Sequence, residues 1–224
     1  MRLKNKDVLT NNDIPGIESK GIYNPTLSSP YSTYELPFYQ TRETLADPEV
    51  YRSFLYSGIR AFRRSRTYSN YKSFLMNLGM DRCHIHGNIN SEMATLEMHH
   101  NIMTILDIAL IITEHTINNK GIISSFDLTT MLKSEHINHR IPVVMLSLTP
   151  HQLYHNEEGL FIHPDACIGN WVEFLEKYYD GITYDIAAKI YYYTNNAIMK
   201  GLSDDSELLK VRDRIFNWRD YYGN

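Results

Sequence analysis

Apolar residues recur at helical spacing over most of this chain and at strand spacing in short stretches between. Val50, Phe54, Leu55, Ile59 and Phe62 form a stripe three to five residues apart, the mark of a helix with one buried face. Asp47-Pro48-Glu49 ahead of it supplies an N-cap, a proline at the first helical position and an acid in the first turn. A second helix is expected over residues 69–78, stopping near Gly79. Residues 103–118 repeat the helical period, with Gly121 where a stop belongs. Ser124-Ser125-Phe126-Asp127 begins another helix that runs to about residue 136. Further helices are expected over about 170–179, 183–200 and 204–218, the last opened by Ser203-Asp204-Asp205.

Strand signals are fewer. Residues 82–86 read as a strand entering the turn Gly87-Asn88-Ile89-Asn90, with residues 95–100 returning as its hairpin partner. Residues 142–148 form a short apolar strand, Thr149-Pro150 opens a helix, and residues 160–164 are strand-like. The expected class is α+β and mostly helical.

Residues 1–45 carry no helical period. Pro15, Pro25, Pro30 and Pro37 recur among Ser, Asn and Thr, so this segment is expected to be an extended arm. Such an arm is either disordered or ordered by wrapping another surface; its aromatic points, Tyr23, Tyr31, Tyr34, Phe38 and Tyr39, favour docking and leave a protein partner open without identifying the surface. The expected organisation is the arm, a basic helical segment over 46–80, a strand-bearing unit over 81–165 interrupted by helices at 103–138, and a helical region over 166–224.

Composition narrows the class. At 224 residues, 43% hydrophobic and 21% charged, the chain can bury one substantial core. Two cysteines, Cys83 and Cys167, are too few for a disulfide framework, so a reducing, cytoplasmic setting is expected. Met1-Arg-Leu-Lys-Asn-Lys-Asp is not followed by the apolar stretch of a secretory signal. The most apolar run, residues 102–112, is too short to cross a bilayer and contains Asp107, so no membrane partner is expected.

The net charge of -4 argues against generic coating of nucleic acid, but the charge is uneven. Residues 50–80 hold Arg52, Arg60, Arg63, Arg64, Arg66 and Lys72 and no acid. Interleaved with Tyr51, Tyr56, Tyr68 and Tyr71, this stretch reads either as a solvated helical face or as a nucleic-acid contact through Arg60, Arg63, Arg64 and Arg66.

The candidate chemistry is in histidines. Thr95-Leu-Glu-Met-His99-His100-Asn101 ends a strand-like run in an adjacent pair, and Leu148-Thr-Pro-His151-Gln-Leu-Tyr-His155 places two histidines at i and i+4 of a helix. Two imidazoles on one helical face and a third from the strand could hold one metal ion with positions left open. Neighbouring strand residues point to opposite faces, so His99 and His100 share a site only if the strand ends or bends there.

The order strand, His-His, spacer, Thr-Pro, helix, His-x3-His resembles the HNH (His-Me finger, ββα-metal) nucleases, most closely the colicin-type nuclease domains, over residues 80–160. The resemblance implies an HNH-like ββα-metal core with a helical insertion and a metal-dependent endonuclease acting on DNA. It implies His99, His151 and His155 as ligands of one divalent cation (Mg, Mn, Ni or Zn) and His100 as the general base. Residues 140–148 hold no counterpart of the family's central asparagine. Many such proteins carry a structural zinc, and Cys83, His86, His163 and Cys167 are a mixed set similar to one. The alternative is a non-catalytic structural or interaction protein, for example of a virus-encoded assembly, that keeps the fold.

Overall fold

The structure, a computed structural model, describes residues 39–155 and 161–200. The expected arm up to residue 38, the turn after His155 and the expected helix over 204–218 lie outside the described residues. The first element is the three-residue strand β1 (Tyr39–Thr41), followed by a 3-10 turn (Thr44–Ala46). Helix α1 (Pro48–Arg63) starts as its sequence demands: the Asp47 carboxylate accepts the backbone N–H groups of Glu49 and Val50 at 2.8 and 3.3 Å. Helix α2 (Arg66–Asn77) begins earlier than expected, because the Ser65 hydroxyl caps it by accepting from the Tyr68 N–H.

The strands pair differently from the expected hairpin. Strand β2 (Leu96–His100) is antiparallel to β4 (Val143–Ser147), with His99 opposite Val144 and His100 opposite Val143. Residues 82–86 form no strand. They contribute one bridge, Arg82 to Asn90, and a hydrogen bond from the His84 N–H to the Met145 carbonyl. The physical reason is burial. All of β4 is buried, so its backbone must be paired inside the protein. The polar Gly87-Asn88-Ile89-Asn90 segment instead folds into turns.

Between β2 and β4 lie α3 (Ile105–Lys120), β3 (Ile122–Ser124) and α4 (Ser125–Ile137). Both helices open with reciprocal capping boxes, Thr104 with Asp107 and Ser124 with Asp127. Gly121 closes α3 at φ 75°, a left-handed conformation that favours glycine. Strand β3 pairs with β1, so the described residues hold two small antiparallel sheets among helices. The fold is α+β and mostly helical.

After β4 the chain enters α5 (Leu148–His155) directly; α6 (Trp171–Lys177) and α7 (Tyr184–Lys200) follow. Helices α1, α3 and α4 pack on one another, and α5 lies against the β2–β4 ribbon. Phe62, Ile108, Ile111, Ile112, Leu128, Leu132, Phe174 and Ile190 are fully buried at the centre. The α1–α4 contact is close at Gly58: a Cβ there would stand 2.7 Å from Leu128 Cδ2. One charge is also internal. Glu135, 1% exposed, accepts from Lys177 Nζ at 2.6 Å, the Tyr178 hydroxyl at 2.9 Å and Arg140 at 3.1 Å, tying α4 to α6.

Candidate functional site

The alternation of β2 divides its polar residues between two sides. Glu97 and His99 face α5, and His100 faces α4. On the α5 side the His151 Nδ1 lies 2.9 Å from Glu97 Oε2, and the rings of His99 and His151 meet edge to face with centroids 5.2 Å apart. His99 is buried and His151 is partly exposed. Helix α5 begins where β4 ends, which brings His151 over the strand that carries His99.

On the other side His100 Nε2 lies 2.9 Å from His136 Nε2. His136 Nδ1 lies 2.7 Å from the Leu132 carbonyl, which can only accept, so His136 carries its proton on Nδ1. Its Nε2 is therefore the acceptor and His100 donates Nε2–H. The pair is walled by Phe62, 4.4 Å from the His136 ring, and by Tyr71 at 5.7 Å. Burial is the main reason both rings stay neutral. It pushes His100 well below the ordinary imidazole range, reinforced by His136, Arg63, His99 and His151. His136 is pushed down to about 4, with the Leu132 bond and Glu135 opposing.

The strand does not bend to bring both adjacent histidines to one side. His100, expected as a base beside the ligands, instead donates to His136. His99 and His151 do come together. His155 ends α5, and its side chain lies outside the described residues. Sequence reasoning missed His136; at 36 residues from His100 no local pattern marks it. Glu97 carried a signal, since it stands two residues before His99 on the same strand face.

The second expected cluster does not gather. The Cys83 thiol is buried beside the end of β4, taking hydrogen bonds from the Ser147 hydroxyl at 3.3 Å and the His86 N–H at 3.4 Å. Burial pushes this thiol up, but bonds from Ser147, His86 and Ile85 outweigh it and hold the thiol below its ordinary value. Cys167 adjoins Ile168, which bridges Val143 at the start of β4. Four residues of strand at ~3.3 Å each separate these ends by about 13 Å. Cys167 accepts from the Asn101 amide at 3.0 Å, and burial pushes its thiol up to about 12. His163 Nδ1 accepts from the Asp165 N–H, and His86 is exposed. Among the described residues no group of three or more His, Cys, Asp or Glu side chains is placed to hold a metal ion. His99 and His151 alone fall short of a three-histidine set.

The arginines Arg60, Arg63, Arg64 and Arg66 are all exposed, along the second half of α1 and over the corner into α2. Arg63 is near enough to His100 to help keep that ring neutral.

The fold and its buried histidines define an α+β protein with its polar machinery largely internal, and no described helix is long and apolar enough to cross a membrane. The particular family is shown by sequence: the chain belongs to the bacteriophage G278-like virion proteins, whose family model matches residues 3–220. No curated protein and no solved structure matches it.

Proposed function

We propose that this phage virion protein is a structural, interacting component of the particle. The observation that carries the reading is the family match across residues 3–220. The interior chemistry supports it. Two buried imidazoles, His100 and His136, are tied to each other and to a backbone carbonyl, and Glu135 is neutralised by three donors, which are arrangements that hold elements together. Exposed Tyr39, Val50, Ile122 and Phe126 lie on β1, α1, β3 and α4, where a protein partner could dock. Mass spectrometry of density-purified particles tests the reading. The protein is expected in the particles at fixed stoichiometry through successive purifications. Its loss during purification, with recovery only in the infected-cell lysate, would sink the assembly role.

A second reading is an HNH-type, metal-dependent endonuclease acting on DNA. The observation favouring it is the order β2, β4, α5, a ββα arrangement interrupted by α3 to α4, with His99 and His151 in ring contact. In this reading His99, His151 and His155 hold the divalent cation, whose chemistry is to stabilise charge on the scissile phosphate. A base role for His100 demands a particular atom: while Nε2–H is donated to His136, only Nδ1 has a free lone pair. Plasmid nicking by metal-stripped protein supplied with Mg²⁺, Mn²⁺, Ni²⁺ or Zn²⁺, beside His99→Ala and His151→Ala, is the test. Metal-dependent nicking lost in both variants is the expected result. Folded protein inert with every metal would remove the reading.

A further inference from the structure

We infer that the outer face of α1 and its corner into α2 is a binding surface for the phosphate backbone of nucleic acid. This goes beyond the assembly reading, since a particle subunit that fails the test below remains a particle subunit.

Three observations carry it. Arg52, Arg60, Arg63, Arg64 and Arg66 are all exposed, and none forms an ion pair with any described residue. By contrast Arg42 meets Glu114, Arg140 meets Glu135 and Glu173, and Lys189 meets Asp107. The stretch 50–80 also contains no acid; the nearest, Glu49, stands three residues before Arg52 in the first turn of α1 and forms no ion pair with it, although the whole chain is at -4.

Spacing is the second observation. Arg52, Tyr56, Arg60 and Arg64 follow one another at four-residue steps, which share a helix face. Twelve residues at ~1.5 Å make a row of about 18 Å. At ~3.4 Å per phosphate along one strand, that row spans about five phosphates. Arg52 lies over the Tyr56 ring at 5.7 Å, and Arg60 Nε donates to the Tyr56 carbonyl at 3.4 Å, so two of the cations are held along the row.

The residues between the arginines are the third observation, and they decide between a polyanion and a protein surface. Ser53, Ser57, Ser69 and Asn70 are exposed there, and Thr67 is half-buried. Small hydroxyl and amide donors beside arginine are the set that contacts phosphate and sugar without reading sequence. A protein interface centred here would show an apolar or aromatic middle. Tyr56 is the only large exposed ring on this face of α1.

Full-length protein titrated with fluorescent duplex and single-stranded 20-mers, in EDTA to exclude cleavage, tests the surface. Affinity is expected in the ~1–100 µM range of sequence-independent binding, falling steeply with salt. The variant Arg52→Gln/Arg60→Gln/Arg64→Gln should bind at least tenfold more weakly, and its log–log salt slope on duplex should be shallower by about 2.7, at ~0.9 per phosphate contact. Arg→Lys at the same positions should restore most of the slope. These substitutions are at exposed positions, and unfolding curves matching the unmodified protein show that the fold is kept. Absence of binding at 50 mM salt, or equal binding by the Gln variant, overturns the inference. A Gln variant that changes oligomeric state without nucleic acid also overturns it, because the face then meets another copy.

Discussion

His100 and His136 come from β2 and α4, and their Nε2 atoms lie 2.9 Å apart inside the core, with the proton held by His100. The link ties the ribbon to the helix inserted between its strands. Burial holds both rings neutral, so charging either of them costs free energy and stability depends on pH.

The direction follows from the lowered value of His136, about 4 against an ordinary 6.5. Between these values the unfolded chain binds more protons than the folded one, so stability rises with pH across that window. It is complete above 6.5, is lost progressively as pH falls towards 4, and levels off below. A shift of that size corresponds to about 3 kcal/mol from His136 alone. Urea unfolding at pH 7, 6, 5 and 4.5 should show the decline, and His136→Phe should flatten it. That variant should also lose ~1–3 kcal/mol at pH 7, because the buried Nε2–H of His100 is left without an acceptor. An equal pH slope in both proteins would remove the pair as its source.

Glu135→Leu removes the carboxylate that gathers Arg140, Lys177 and the Tyr178 hydroxyl. Lys177 and Arg140 reach solvent and can rehydrate; Tyr178, 1% exposed, cannot. The expected loss is ~2–4 kcal/mol, short of a fully enclosed pair. Tyr178→Phe in the same background should recover part of it, measurable as a non-additive double-mutant cycle in denaturant unfolding.

Gly58→Ala should destabilise, although alanine is the better helix former. Its Cβ would stand 2.7 and 2.9 Å from Cδ2 and Cγ of Leu128, a fully buried side chain that would have to shift to make space. Overpacking of this kind costs ~1–3 kcal/mol. With Leu128→Ala already in place, Gly58→Ala should cost little or become favourable. A simple sum of the two single effects would show that the contact is not the cause.

Local chemistry made the helices legible. Asp47-Pro48-Glu49, Ser124 with Asp127 three residues later, and Gly121 are short-range signals, and each marks the end of an observed helix. The partner of β2 was not legible, because the segments 82–86 and 143–147 both read as strands and local pattern carries no information on which is chosen. Burial of the whole of β4 decides it. The candidate site divides in the same way. Strand alternation forecast that His99 and His100 part unless the strand bends, and Glu97 shares the His99 face by the same period. His136 is on a helix 36 residues away, and only the packing of α4 against β2 brings it to His100.

Chelation provides the last test, because the cysteines are separated by the length of β4. Cys83 neighbours Ser147 and Cys167 precedes Ile168, which bridges Val143, so a single ion would meet both sulfurs only if the segments that carry them moved along β4. The Cys167 thiol, pushed up to about 12, keeps its proton at neutral pH while accepting from Asn101. Prolonged EDTA treatment should therefore leave the Tm of the full-length protein unchanged. Both thiols should resist iodoacetamide at pH 7.5 until denaturant is added: Cys83 because it is 0% exposed, despite its lowered value, and Cys167 because its thiolate is scarce. A Tm drop on chelation, reversed by Zn²⁺ and absent in Cys83→Ser, would mean that the two pairs converge on an ion after all.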